Sequence, residues 1–179
     1  MSAKTRQIDS KQRGLSMIEL LVAVLVLSIG VLGITALQMV SLQNNRGALF
    51  RAEAVQLAYD MMDRIRANPA GGIPGQAYGG LGLTTAPPAS ADCMANNCSE
   101  TQMVLFDQAL WKCSLGGFNT DAGCVAFRAA GVLPPEADQP GLPNGDGSIA
   151  VSGAGVVTVS VTWQEPDGQV GTVTIDSQS

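Results

Sequence analysis

The chain of 179 residues contains no histidine, 4% aromatic residues and only 14% charged ones. Without histidine the commonest general base, proton shuttle and metal ligand is missing, so Ser-His-Asp hydrolysis, zinc hydrolysis and haem-histidine chemistry lose their usual centre. An enzyme is not expected, and neither is a metal or a cofactor. Basic residues are the minority charge, 10 Lys+Arg against 15 Asp+Glu for a net −5. That balance repels phosphate backbones and excludes nucleic acid as a natural partner. The length fits one domain.

The scarce positive charge is unevenly placed. Lys4, Arg6, Lys11 and Arg13 fall in the first 14 positions against a single acid, Asp9, so a basic head leads an acidic body. Residues 20–37 then read LLVAVLVLSIGVLGITAL, 18 positions without a charge, 12 of them Leu, Val or Ile. On an insertion scale each of those twelve supplies roughly −0.3 to −0.6 kcal/mol, enough to favour a membrane span. The positive-inside rule keeps the basic head cytoplasmic and sends the C-terminal portion outward. A secretory signal peptide fits poorly, because its apolar region is about 7 to 15 residues long and ends in a small-residue cleavage site. A plain anchor fits the hydropathy but leaves Glu19 unexplained. An acid at the membrane edge is costly and marks a pairing role. No cation lies within the segment, yet a cut just before Leu15 would create an α-amino group four residues from Glu19.

The run Arg13-Gly14-Leu15-Ser16-Met17-Ile18-Glu19-Leu20-Leu21 resembles the class III signal of type IV prepilins and pseudopilins, whose pattern is Gly followed by Phe-Thr-Leu-Ile-Glu. The resemblance implies that a prepilin peptidase cleaves between Gly14 and Leu15, that Leu15 is then N-methylated, and that Glu19 pairs with the new amine of a neighbouring subunit during assembly. Leu15 stands where the pattern has Phe, one large apolar residue for another. Many major pilins carry a proline where this chain has Ala36, so no proline kink is expected.

Residues 28–33, Leu37-Gln38 and Ser41-Leu42-Gln43, with Gly-Leu-Pro-Asn-Gly-Asp-Gly at 141–147 and a valine-rich hairpin, are similar to the PilV group of type IV pilus minor pilins. That likeness implies a minor pilin that helps prime pilus assembly within a minor-pilin tip complex, and so supports twitching motility and attachment. The implied partners are other minor pilins, the major pilin, the prepilin peptidase and, before assembly, the inner membrane. The implied location is the inner membrane, single-pass with a cytoplasmic N-terminus, then the pilus at the cell surface. Two alternatives stand beside it, a type II secretion minor pseudopilin and a membrane-tethered periplasmic binding module, the latter retaining Gly14 and the basic head.

The expected fold class is α+β and pilin-like, a long N-terminal helix packed on a small antiparallel β-sheet head with disulfides. The expected organisation is a leader over 1–14 that is removed, a helix over 15–67, and a globular periplasmic or extracellular head over 68–179. Within the helix, 15–43 is the transmembrane and fibre-core part and 44–67 the amphipathic part. No proline interrupts 15–68, and Asn68-Pro69 is a stop signal. Phe50, Ala54, Val55, Ala58, Met61, Met62 and Ile65 share one arc at ~100° per residue, with Glu53, Gln56, Asp60, Asp63 and Arg64 opposite, on a solvated or subunit-facing side. Residues 69–98 read as a long loop. Ser99 with Gln102 offers a capping box for a helix ending near Lys112 that would bury Met103, Leu105 or Phe106, Leu110 and Trp111. Val157, Val159, Val161 and Trp163 alternate with polar residues, Pro166-Asp167-Gly168 makes a turn, and 170–175 returns as the partner strand. An earlier strand over 148–151 would complete a meander, and Asn144-Gly145-Asp146-Gly147 reads as a turn rather than a calcium loop.

Cys93, Cys98, Cys113 and Cys124 lie on the exported side, where disulfides are the default. Their spacing fits no zinc framework and there is no histidine to complete one. The short pairings, Cys93 with Cys98 and Cys113 with Cys124, close most easily, while crossed pairing stays open at this level.

Overall fold

A computed structural model describes residues 16–68 and 76–178. The leader, the Gly14–Leu15 bond and the Pro69 stop lie outside the described residues. The absence of proline along an apolar and then amphipathic run gives α1, Met17–Ala67, which tolerates glycines at 30, 33 and 47. The chain divides into two compact units, Met1–Leu42 and Gln43–Ser179, so α1 contributes to both.

In the second unit, Ala54, Ala58, Met61, Met62 and Ile65 of α1 are buried, the i, i+4, i+7 spacing of one helical face. They join a core formed by a three-stranded antiparallel sheet, β1 (Asp146–Val151), β2 (Val156–Gln164) and β3 (Val170–Gln178), in the order β1-β2-β3. Along β2 the buried residues alternate, Val157, Val159, Val161 and Trp163, as a strand with one covered face requires. The meander matches the expected hairpin, with β1 starting two residues earlier than expected, at Asp146.

The helix α2, Glu100–Leu115, opens on the expected capping box: the Ser99 hydroxyl accepts from the Gln102 amide at 3.3 Å and the Gln102 side chain accepts from the Ser99 amide at 2.9 Å. It runs three residues past Lys112 and ends at Gly116, whose φ of 107° and close approach to the Leu142 backbone leave no room for a Cβ. Phe106, Leu110 and Trp111 are buried as expected, whereas Leu105 is exposed. A further short helix, α3 (Ala122–Ala129), was not anticipated from the sequence. Its eight residues are capped by Asp121 and held from outside, by the Cys113–Cys124 disulfide and by an edge-to-face contact of Phe127 with Phe106 at 5.7 Å. The expected long loop also has structure, a 3-10 turn at Gln76–Tyr78 and a bridge from Leu81 to Ile149. The fold is α+β, a long N-terminal helix and a small antiparallel sheet stapled by two disulfides.

Candidate assembly site

In the first unit every described side chain of α1 is exposed, including Leu20 at 56%, Leu32 at 71% and Leu37 at 73%. A continuous bare apolar surface of this extent marks a membrane or protein interface, and the helix is long and apolar enough to span a bilayer. The two hydroxyls of its uncharged 20–37 run are satisfied internally, Ser28 donating to the Val24 carbonyl at 2.7 Å and Thr35 to the Val31 carbonyl at 2.8 Å. That is what a lipid-facing helix needs, since hydrocarbon offers no partner.

Glu19 occupies the first turn, its amide and that of Leu20 bonded to the Ser16 carbonyl at 3.0 and 3.2 Å. The positive end of the helix dipole favours a carboxylate there. Among the described residues Glu19 makes no ion pair or side-chain hydrogen bond, and its side chain is exposed. The carboxylate therefore offers its charge outward, at the end of a helix whose neighbouring side chains are apolar.

In the head, a buried polar network joins three elements. Asp107 of α2 accepts from the Tyr78 hydroxyl at 2.6 Å and from the Arg64 guanidinium of α1 at 3.2 Å; Asn68 donates to Tyr78 at 3.1 Å and to the Glu100 carbonyl at 3.0 Å. Burial, reinforced by the bond to Asp107, pushes the Tyr78 phenol well up from its ordinary value. Arg64 was expected on the solvated side with Asp60 and Asp63. It bonds Asp60 at 2.9 Å but also reaches inward to Asp107, because a guanidinium presents several donors and can span an exposed and a buried acid together. Glu53 on the same side is half-buried, and burial raises its carboxyl.

A second buried pair, Lys112 with Asp146, lies under residues 82–84. Lys112 also donates to the Gly82 carbonyl at 3.0 Å, and Asp146 accepts from the Thr84 amide at 2.6 Å. Burial holds the Lys112 ammonium below its ordinary value, and Asp146 offsets only part of that shift. The Asn144–Gly147 segment is thus more than a turn: its acid belongs to β1 and compensates a fully buried cation. Asp107 carried a readable signal, since Val104, Asp107 and Trp111 fall at helical spacing on the buried face of α2. Asp146 carried none, because its cation is 34 residues away.

The cysteines pair as Cys93–Cys98 and Cys113–Cys124. The structure brings these together within the head; Glu19 lies in the other compact unit, and Gly14 and Leu15 are outside the described residues. Among the described residues no group of His, Cys, Asp or Glu is arranged to hold a metal.

Two family patterns match consecutive parts of the chain, the prokaryotic N-terminal methylation motif at residues 9–35 and type IV pilin Tt1218 at residues 36–109. No curated protein and no solved structure gives a match. The type IV pilins are structural proteins that assemble with other pilins, and their methylation motif is the substrate of the prepilin peptidase. With the methylation motif covering Lys11, Arg13, Glu19 and most of the apolar run, the pilin pattern following it without a gap, and a disulfide-stapled α+β head behind, the chain belongs to the type IV pilins.

Proposed function

We propose that the chain is a minor subunit of the type IV pilus, of the PilV group, that helps prime assembly within a minor-pilin tip complex and thereby supports twitching motility and attachment. In this reading the leader over 1–14 is removed by the prepilin peptidase, Leu15 becomes the methylated N-terminus, residues 15–43 span the inner membrane and later line the fibre core, 44–67 form the amphipathic continuation, and 68–179 are the exported head. The observation that carries it is Glu19, a carboxylate without a partner among the described residues, placed in the first turn of a bare apolar helix. A newly exposed ammonium at residue 15 of an adjoining subunit supplies the missing charge. In low dielectric such a pair gives register and orientation more than stability, while the apolar helix surfaces supply the bulk of the association.

Mass spectrometry of the chain purified from membranes and from pili tests this directly. A methylated Leu15 start is expected, and an intact Met1 or Ser2 start would remove the reading. Glu19→Ala should insert and be cleaved but fail to enter the fibre, with incorporation falling about tenfold for each ~1.4 kcal/mol of pairing lost; normal piliation of that variant would contradict the role given to Glu19.

A further inference from the structure

The two edges of the head's sheet are treated differently. Along β1 the outer edge is covered: Ile149 donates its amide to the Leu81 carbonyl at 2.8 Å and accepts from the Gly80 amide at 3.2 Å. Just beyond, residues 82–84 are held over the same edge by the buried Lys112–Asp146 pair. Along β3 nothing comparable occurs. Because Ile149 turns its backbone groups outward, it forms a non-hydrogen-bonded pair with Val159, and the antiparallel alternation then carries across the sheet. Val159 bonds Ile175, Val161 bonds Val173, and the amides and carbonyls of Thr172, Thr174 and Asp176 point away from β2. Among the described residues these six groups take no backbone partner, and all three residues are exposed.

Proteins usually blunt such an edge with lysine, proline, a bulge or a cover. β3 has none of the first three: its nine residues contain no Lys and no Pro, its register with β2 is continuous, and its one charge is Asp176. Val173 and Ile175 sit partly buried at the margin of the core, where one more strand would extend it.

We propose that β3 is a docking edge for strand addition by an extended, Lys- or Arg-bearing segment of a different exported protein. Charge selects that occupant. Residues 43–179 hold six basic against thirteen acidic residues, and β3 carries Asp176 and is flanked by Glu165 and Asp167 at its start, while at its end Arg66 pairs with Asp63 and bonds Ser177. A second copy would bring the same negative field to the same edge.

The test uses the full-length chain in its native envelope, with a benzophenone side chain replacing Thr172. A crosslink to a polypeptide other than this chain is expected, with the adduct in an extended segment that carries Lys or Arg. Thr174→Pro removes one outward amide and none of the β2–β3 bonds, so it should abolish the adduct, whereas Thr174→Ala, which keeps the amide, should retain it. If Thr174→Pro fails to fold, amide exchange decides: Thr172, Thr174 and Asp176 should exchange about tenfold or more slowly in the assembled than in the extracted protein. No adduct, an adduct with a second copy, an adduct that survives in folded Thr174→Pro, or equal exchange rates would each overturn the proposal. A chain that retains its leader yet gives the expected adduct would remove the pilin reading and leave strand addition standing.

Discussion

Residues 17–42 and residues 43–179 follow opposite rules with similar materials. The first unit exposes its Leu, Val and Ile on a bare helix, while the second buries Met61, Ile65, Val159 and Trp163 until almost nothing of them reaches solvent. Polar groups are handled in opposite ways too. Ser28 and Thr35 fold back onto their own helix carbonyls, whereas Asp107, Tyr78 and Arg64 find one another across the chain. The difference shows what each unit depends on. An apolar helix in lipid satisfies its backbone alone and needs no tertiary partner, while a small head lacks the burial to stand without specific packing and covalent staples.

Substitutions that act on one side of this comparison and spare the other make it testable. Trp111→Ala should have the largest effect. Its indole is 1% exposed, donates to the Leu57 carbonyl at 2.9 Å and lies where a Cβ on Gly147 would collide with the ring. Its loss should cost about 3–5 kcal/mol of head stability, read by denaturant unfolding in detergent micelles, with membrane insertion unchanged. Unaltered head stability would mean that the core is not organised around α2.

The two disulfides sharpen the comparison within the head. Cys113 and Cys124 are fully buried and join α2 to α3, while Cys93 and Cys98 are half-buried in a loop. Replacing Cys113 and Cys124 together by Ser should cost about 2–4 kcal/mol. Mild reductant followed by alkylation and mass mapping should open Cys93–Cys98 first, because attack needs access; the reverse order would contradict the burial.

Tyr78 gives a graded effect. Its phenol has a raised value relative to an ordinary 10, so above pH 10 the folded chain keeps a proton that the unfolded chain releases. That contribution is complete below pH 10 and is lost as pH rises, at about 1.4 kcal/mol per pH unit up to the folded value. In a Tyr59→Phe background, leaving Tyr78 as the only tyrosine, the phenolate absorbance should appear together with unfolding rather than before it. Ser28→Ala should have the smallest effect, within about 0.5 kcal/mol for insertion, since the hydroxyl it removes bonds only its own helix. A severe insertion defect would show that Ser28 serves a contact beyond α1.

Much of this arrangement was legible because it is written in local terms. The capping box at Ser99 and Gln102, the 54–65 arc and the alternation from Val157 to Trp163 each depend on neighbours within a turn or a strand. The element that escaped, α3, is short and, beside the Cys113–Cys124 link that the spacing already offered, draws its support from Phe106 and from the Asn119 and Pro134 partners of Arg128, contacts that no local pattern reveals. The inward turn of Arg64 escaped for the same reason, since its choice between Asp60 and Asp107 depends on where α2 packs.

By itself the sequence determined the membrane-length helix, the acid at its first turn, the methylation motif and the periodicities of helix and strand, because each is a matter of composition or spacing along the chain. Only the tertiary structure decided which charges are brought together and that the sheet covers its β1 edge while leaving β3 open. Those outcomes depend on distances between segments tens of residues apart, and such distances exist only once the core has closed.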